Sequence, residues 1–137
     1  MENRRCSGSD PAFARDRSTD YLLAMQTGQS GTIEIRVRYA ECDPMGVAHH
    51  SAYAPWFEMG RTELLRSSGG NYRDLEAAGV LLAVVKLSIR YKRPARYDDV
   101  LSLETRIANL GHVKIEHGYE LRRGNEVLAT AETTLAC

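Results

Sequence analysis

The sequence predicts a two-layer α+β domain in which a five-stranded antiparallel sheet curls around one long helix. Three observations lead there. Five runs alternate apolar and polar residues with a period of two, the pattern of a half-buried strand. The run from Tyr53 to Leu65 carries large apolar residues at helical spacing over several turns. The connections between the later strands are short, which favours antiparallel neighbours with one dry face and one wet face.

A chain of 137 residues fits one domain with a modest core. At 43% hydrophobic and 26% charged, its composition is that of an ordinary globular protein. The 18 Lys and Arg residues balance the 18 Asp and Glu residues, so no net field attracts nucleic acid or an anionic membrane. No apolar run approaches the roughly 20 residues that cross a bilayer. The N-terminus is arginine-rich without an apolar core, unlike a secretory signal, and a cytoplasmic location is expected. Cys6, Cys42 and Cys137 form an odd, widely spaced set with no C-x-x-C pair. That argues against a disulfide framework and a structural zinc site, and neither metal nor cofactor is expected.

Taken in order, residues 1–31 are rich in Arg, Asp, Ser and Gly and read as a flexible leader, with a short apolar patch at Tyr21–Met25. An alternative start at Met25 would give a more compact protein. The domain is expected over 32–137. Ile33, Ile35 and Val37 alternate with Glu34, Arg36 and Arg38 as a first strand, and Asp43-Pro44-Met45-Gly46 makes a turn. In the helix that follows, Tyr53, Trp56, Phe57, Gly60, Leu64 and Leu65 share the apolar side, while Glu58, Arg61, Glu63 and Arg66 take the other. Ser51 suits an N-cap, and Pro55 falls in a tolerant first turn. Gly60 on the apolar side implies close approach of another backbone, and Gly69-Gly70 ends the helix. A short second helix or turn spans Asn71 to Gly79, with Tyr72 and Leu75 inward.

Four more alternating runs follow. Val85, Leu87, Ile89 and Tyr91 oppose Lys86, Ser88, Arg90 and Lys92; Leu101, Leu103 and Ile107 oppose Ser102, Glu104 and Arg106. Val113, Ile115 and Tyr119 oppose Lys114, Glu116 and Glu120, and a Gly124-Asn125 turn leads to Val127, Ala129, Ala131 and Leu135. Strand edges and apolar surface left over by a single helix favour a homo-oligomer.

Asp43 is the first candidate for chemistry. Asp before Pro commonly bonds nearby backbone N–H groups as a plain turn former. A carboxylate at the mouth of a helix can also attack a carbonyl or activate water, beside free N–H groups that favour an oxyanion. His49 and His50 are adjacent, so their rings are expected to diverge and not to share a metal; the free backbone N–H of His50 matters more than its ring. Cys42 is expected to face away from the site that Asp43 faces, which disfavours a Cys–His nucleophile. Lys86, Arg90, Lys92, Arg93 and Arg96 read either as a solvated face or as a phosphate-binding rim.

The run Tyr39-Ala40-Glu41-Cys42-Asp43-Pro44-Met45-Gly46-Val47, followed by His50, Tyr53 and Phe57-Glu58-Met59-Gly60-Arg61-Thr62-Glu63, resembles the 4-hydroxybenzoyl-CoA thioesterase family. Tyr91 and Pro94-Ala95-Arg96-Tyr97-Asp98-Asp99 resemble its second signature. The resemblance implies a hotdog fold and hydrolysis of an acyl-CoA thioester. It places the catalytic carboxylate on Asp43 and the oxyanion-binding backbone donor on His50. Gly46, Val47 and Tyr53 would contact substrate, with Arg90 and Lys92 toward the CoA phosphates. The expected partners are acyl-CoA or a carrier-protein thioester, and a second copy of the chain in a homodimer or dimer of dimers. Ser51-Ala52 departs from the Pro-Asn or Ala-Asn often seen in relatives. The rival reading, a non-catalytic acyl-CoA-binding module, would be marked by loss of the carboxylate that Asp43 supplies. A dehydratase on this fold would need a His–acid pair that the motifs do not show.

Overall fold

The computed structural model describes residues 24–137. Five strands form one antiparallel sheet: β1 (Ser30–Arg36), β2 (Ala83–Tyr91), β3 (Val100–Leu110), β4 (Lys114–Arg123) and β5 (Glu126–Ala136), in the spatial order β1-β3-β4-β5-β2. The long helix α1 (Tyr53–Ser67) packs on β1 and β3, and the short helix α2 (Tyr72–Ala77) follows it. This is the sheet-wrapped helix that the period-two runs imply. Asn71 caps α2 by accepting the Asp74 N–H at 2.9 Å, and Leu75 is buried beneath it.

The core divides along α1. Around its N-terminal half, Tyr53, Trp56 and Phe57 pack with Ile35, Val37, Leu101, Leu103, Tyr119, Leu121 and Leu128. Around its C-terminal half, Leu64 and Leu65 pack with Met25, Leu75, Val80 and Ile107. The expected leader lies outside the described residues up to 23. From Met25 onward the chain packs against the C-terminal half of α1, and Gly28 N–H donates to Ile107 O at 2.7 Å.

Three details differ from the sequence reading. Arg61, assigned to the wet side of the helix, is 8% exposed. It stands one turn from both Phe57 and Leu65, in the middle of the buried stripe, and the phenols of Tyr72 and Tyr119 solvate its guanidinium. Glu58 lies 3.7 Å away at the surface end. Next, β5 carries a bulge opposite Leu121 and Arg122, which shifts the alternation so that Leu128 and Ala129 are both buried while Val127 is only half-buried. A second irregularity between Val84 and Lys86 takes Val85 out of the ladder and leaves it exposed.

Of the cysteines, one fits and one differs. Cys42 is a free, half-buried thiol packed against the main core, as expected of a filler. Cys137 is disulfide-bonded, whereas the sequence suggested no bridge.

Candidate active site

Asp43 sits at the tip of a small hairpin between β1 and α1. A 3-10 turn (Tyr39–Glu41) leads in, Cys42 bridges Ala48, and Asp43 N–H donates to Val47 O at 2.9 Å. Gly46 closes the turn with its N–H on Asp43 O at 2.9 Å, in a left-handed conformation (φ 78°) that glycine adopts without strain. The carboxylate Oδ1 accepts the Met45 N–H at 2.9 Å. Turn former and candidate acid are therefore one residue: one oxygen is fixed by the backbone, and the other has no partner among the described residues.

The hairpin runs directly into the helix. His49, not Ser51, is the N-cap: its Nδ1 accepts the Ser51 N–H at 3.1 Å and lies 2.8 Å from the Ser51 hydroxyl. His50 to Ala52 form a 3-10 turn before α1 begins, and Tyr53 N–H closes onto His50 O. The His50 N–H makes no hydrogen bond among the described residues, as the first donor of a helical entrance. The two imidazoles do not splay as expected but lie against each other, with ring centroids 4.0 Å apart and planes tilted by 35°. The capping bond holds the His49 ring back over the turn and so brings it beside His50.

Two contacts fix the hairpin to the body of the protein. Glu41, with its side chain 10% exposed, accepts the buried indole N–H of Trp56 at 3.1 Å and the Arg38 backbone N–H at 2.8 Å. The 94–99 loop pairs from the other side, with Ala48 N–H on Ala95 O at 2.7 Å and a bridge between Val47 and Arg96. Exposed Tyr39 and Tyr97 meet edge to face at 5.7 Å across the same seam. Val47 is thus a half-buried structural partner of the loop.

Tyr53 is buried, between Trp56 and Tyr91 with both rings 4.9 Å away. Burial raises its phenol above the ordinary range, so it stays protonated and serves as a neutral wall. Tyr91 lies on the helix side of β2, and Arg90, paired with Thr130, lies on the opposite face. Lys92 follows the strand, with its N–H on Leu128 O at 2.8 Å. Asp43, Gly46 and Val47 thus share one hairpin, which runs into the turn at His50 and then into α1 at Tyr53, while Arg90 lies on the sheet face away from Tyr53. Arg93 pairs with Glu126 at 3.2 Å, which takes it out of the basic rim.

A second polar group escaped the sequence reading. Under the C-terminal half of α1, Arg61 stands with Tyr72, Tyr119, His117 and Thr133, and the Tyr119 hydroxyl lies 2.7 Å from Thr133 Oγ1. The signal was present: Thr105, His117 and Thr133 occupy inward positions of their strands.

Comparison with known proteins fits this geometry. The family model of the thioesterase superfamily matches residues 45–130, beginning just after Asp43. YneP of Bacillus subtilis (strain 168) is 42% identical over 88 residues, 64% of each chain. The acyl-CoA thioester hydrolase YbgC of Escherichia coli O6:H1 is 32% identical over 104 residues, 75% of this chain and 78% of YbgC. The solved structure of 4-hydroxybenzoyl CoA thioesterase from Pseudomonas sp. strain CBS-3 superposes with a TM-score of 0.71 over 79% of this chain and 84% of that one at 22% identity, a likeness of fold. No helix among the described residues is long and apolar enough to cross a membrane. The chain belongs to the thioesterase superfamily, the hotdog-fold thioester hydrolases.

Proposed function

We propose that this protein is an acyl-CoA thioesterase in which Asp43 is the catalytic carboxylate and the His50 backbone N–H stabilises the oxyanion. The observation that carries the reading is the shared hairpin: among the described residues Asp43 keeps one carboxylate oxygen without a partner, and the same hairpin leads into a helical entrance whose first N–H is also without one. A thioester carbonyl held at that entrance gains negative charge as it is attacked, and the N–H with the helix dipole favours that charge. Asp43 either attacks the carbonyl itself, giving an anhydride that water then opens, or takes a proton from the attacking water. Both routes end in a free acid and the CoA thiol, with one water consumed.

Gly46 and Val47 frame the turn, and Tyr53 closes the wall beneath it. Lys86, Arg90 and Lys92 carry no ion pair among the described residues and suit the CoA phosphates. The working unit is a homodimer or a dimer of dimers, in which these cations would meet CoA bound at a second copy's hairpin. The name of YbgC supports acyl-CoA as the substrate class. Hydrolysis rates over a panel of acyl-CoAs, aroyl-CoAs and carrier-protein thioesters test the reading. Turnover of at least one of them is the expected result, and no turnover of any would oppose it.

A further inference from the structure

We infer that Glu41 is a positioning residue for this hydrolysis, holding the Asp43 carboxylate and the His50 N–H in fixed relation to the start of α1. The inference rests on the proposed roles of Asp43 and His50. Glu41 lies on a surface turn whose neighbours Tyr39 and Ala40 are exposed, yet its own carboxylate is turned inward. That carboxylate accepts the Trp56 indole N–H at 3.1 Å, and Arg38 supplies its backbone N–H at 2.8 Å and its Nε at 3.1 Å. Meanwhile the Glu41 carbonyl accepts the His49 N–H at 2.7 Å.

One residue thus grips three parts. Its side chain holds the helix, its carbonyl holds the hairpin strand that ends at His50, and its own chain continues two residues to Asp43. The Asp43 turn is closed by its own ladder, which fixes its shape but not its orientation against the helix. Trp56 is 1% exposed in the first turn of α1 and gives an immobile far end to the bond. Arg38 balances the charge of Glu41 from the solvent side.

The test compares Glu41→Ala, Glu41→Gln and Trp56→Phe on the acyl-CoA that the unaltered protein hydrolyses fastest. Glu41→Ala should lower kcat about 10- to 100-fold while KM stays within about twofold, because misplacement of a reacting group by about 1 Å has effects of that size. Glu41→Gln keeps an oxygen for the indole and should recover most of the rate. Trp56 is the sole tryptophan, so its emission should shift in Glu41→Ala and return in Glu41→Gln.

Unchanged kcat in Glu41→Ala, or a fall no larger than its loss of folded protein, would overturn the inference. Should that variant fail to fold, Trp56→Phe removes the donor while keeping an aromatic ring in the core, and among its folded molecules it must still lower kcat with KM unchanged. Asp43→Asn is measured alongside. If Asp43→Asn is inactive and the Glu41 and Trp56 variants are not, the inference fails alone; if Asp43→Asn is fully active, the underlying reading fails.

Discussion

Gly60 and Thr105 face each other across the helix–sheet seam with no room for a methyl group between them. A Cβ on Gly60 would overlap Thr105 Oγ1 and stand 2.9 Å from Leu103 Cδ2. This close approach lets α1 sink into the curved sheet, and it leaves the Thr105 hydroxyl without a hydrogen-bond partner in the described residues. Gly60→Ala should therefore destabilise the fold by about 1–3 kcal/mol through overpacking, against a helix-propensity gain of about 1 kcal/mol. Urea unfolding checks this, and adding Thr105→Ala should recover part of the loss. An unchanged midpoint would mean that the layers part freely.

How much was legible in the sequence follows from what each signal depends on. Strand alternation and the helical stripe are local, so the sheet-wrapped helix and the inward Leu75 could be read; Gly60 does mark a tight approach, but by the side chains of Thr105 and Leu103 and not by the backbone that was expected. The Asp43 turn was legible because Asp-Pro-x-Gly chemistry is local too. Arg61 was misplaced because its charge outweighed its position, although it stands one turn from both Phe57 and Leu65. Only the tertiary fold supplies the phenols of Tyr72 and Tyr119 that make its burial tolerable. The bulge at Leu128 was hidden because Val127 and Leu128 are both apolar, so either phase of the strand looked equally good. His49 took the cap from Ser51 through a ring nitrogen, which residue-type preferences do not favour.

His117 should make the fold sensitive to acid. Burial first, and the Arg61 charge second, lower its pKa from 6.5 to about 4. Above about pH 6.5 the ring is neutral in both folded and unfolded chains and contributes nothing. Between there and about 4 the unfolded chain binds a proton that the folded chain refuses, and stability falls by about 1.4 kcal/mol per pH unit from this group. His117→Leu should lose that part of the slope when unfolding is measured from pH 7 to pH 4.5. Identical slopes would place the acid sensitivity elsewhere.

The edge of β2 should be covered in solution. It is the last strand of the sheet, and Val84, Val85, Leu87 and Tyr91 are all exposed on it. Light scattering should return a mass at least twice that of the 15.3 kDa chain at micromolar concentration. Val84→Lys with Leu87→Lys should lower it. A single-chain mass for the unaltered protein would contradict the proposed dimer.

Charge removal at Arg90 and Lys92 should raise KM and weaken its dependence on salt, with kcat nearly intact, if these residues meet CoA phosphates. Because Arg90 lies on the sheet face away from Tyr53, that outcome also requires a neighbouring copy. An unchanged KM would return both residues to a solvated face.

The most direct measurement is the turnover of Asp43→Asn on the best acyl-CoA. The amide keeps the size of the side chain and an oxygen for the Met45 N–H, so the hairpin should persist and acyl-CoA should still bind. It lacks the anionic oxygen that attacks the thioester or draws a proton from water, and a positioned base contributes typically ~10²–10⁴-fold. Turnover should fall by that factor, while Cys42→Ala, whose sulfur lies 3.7 Å from Arg38 O, stays within a few-fold. Full turnover by Asp43→Asn would contradict the assignment of the carboxylate, and loss of activity in Cys42→Ala would move the chemistry to the thiol.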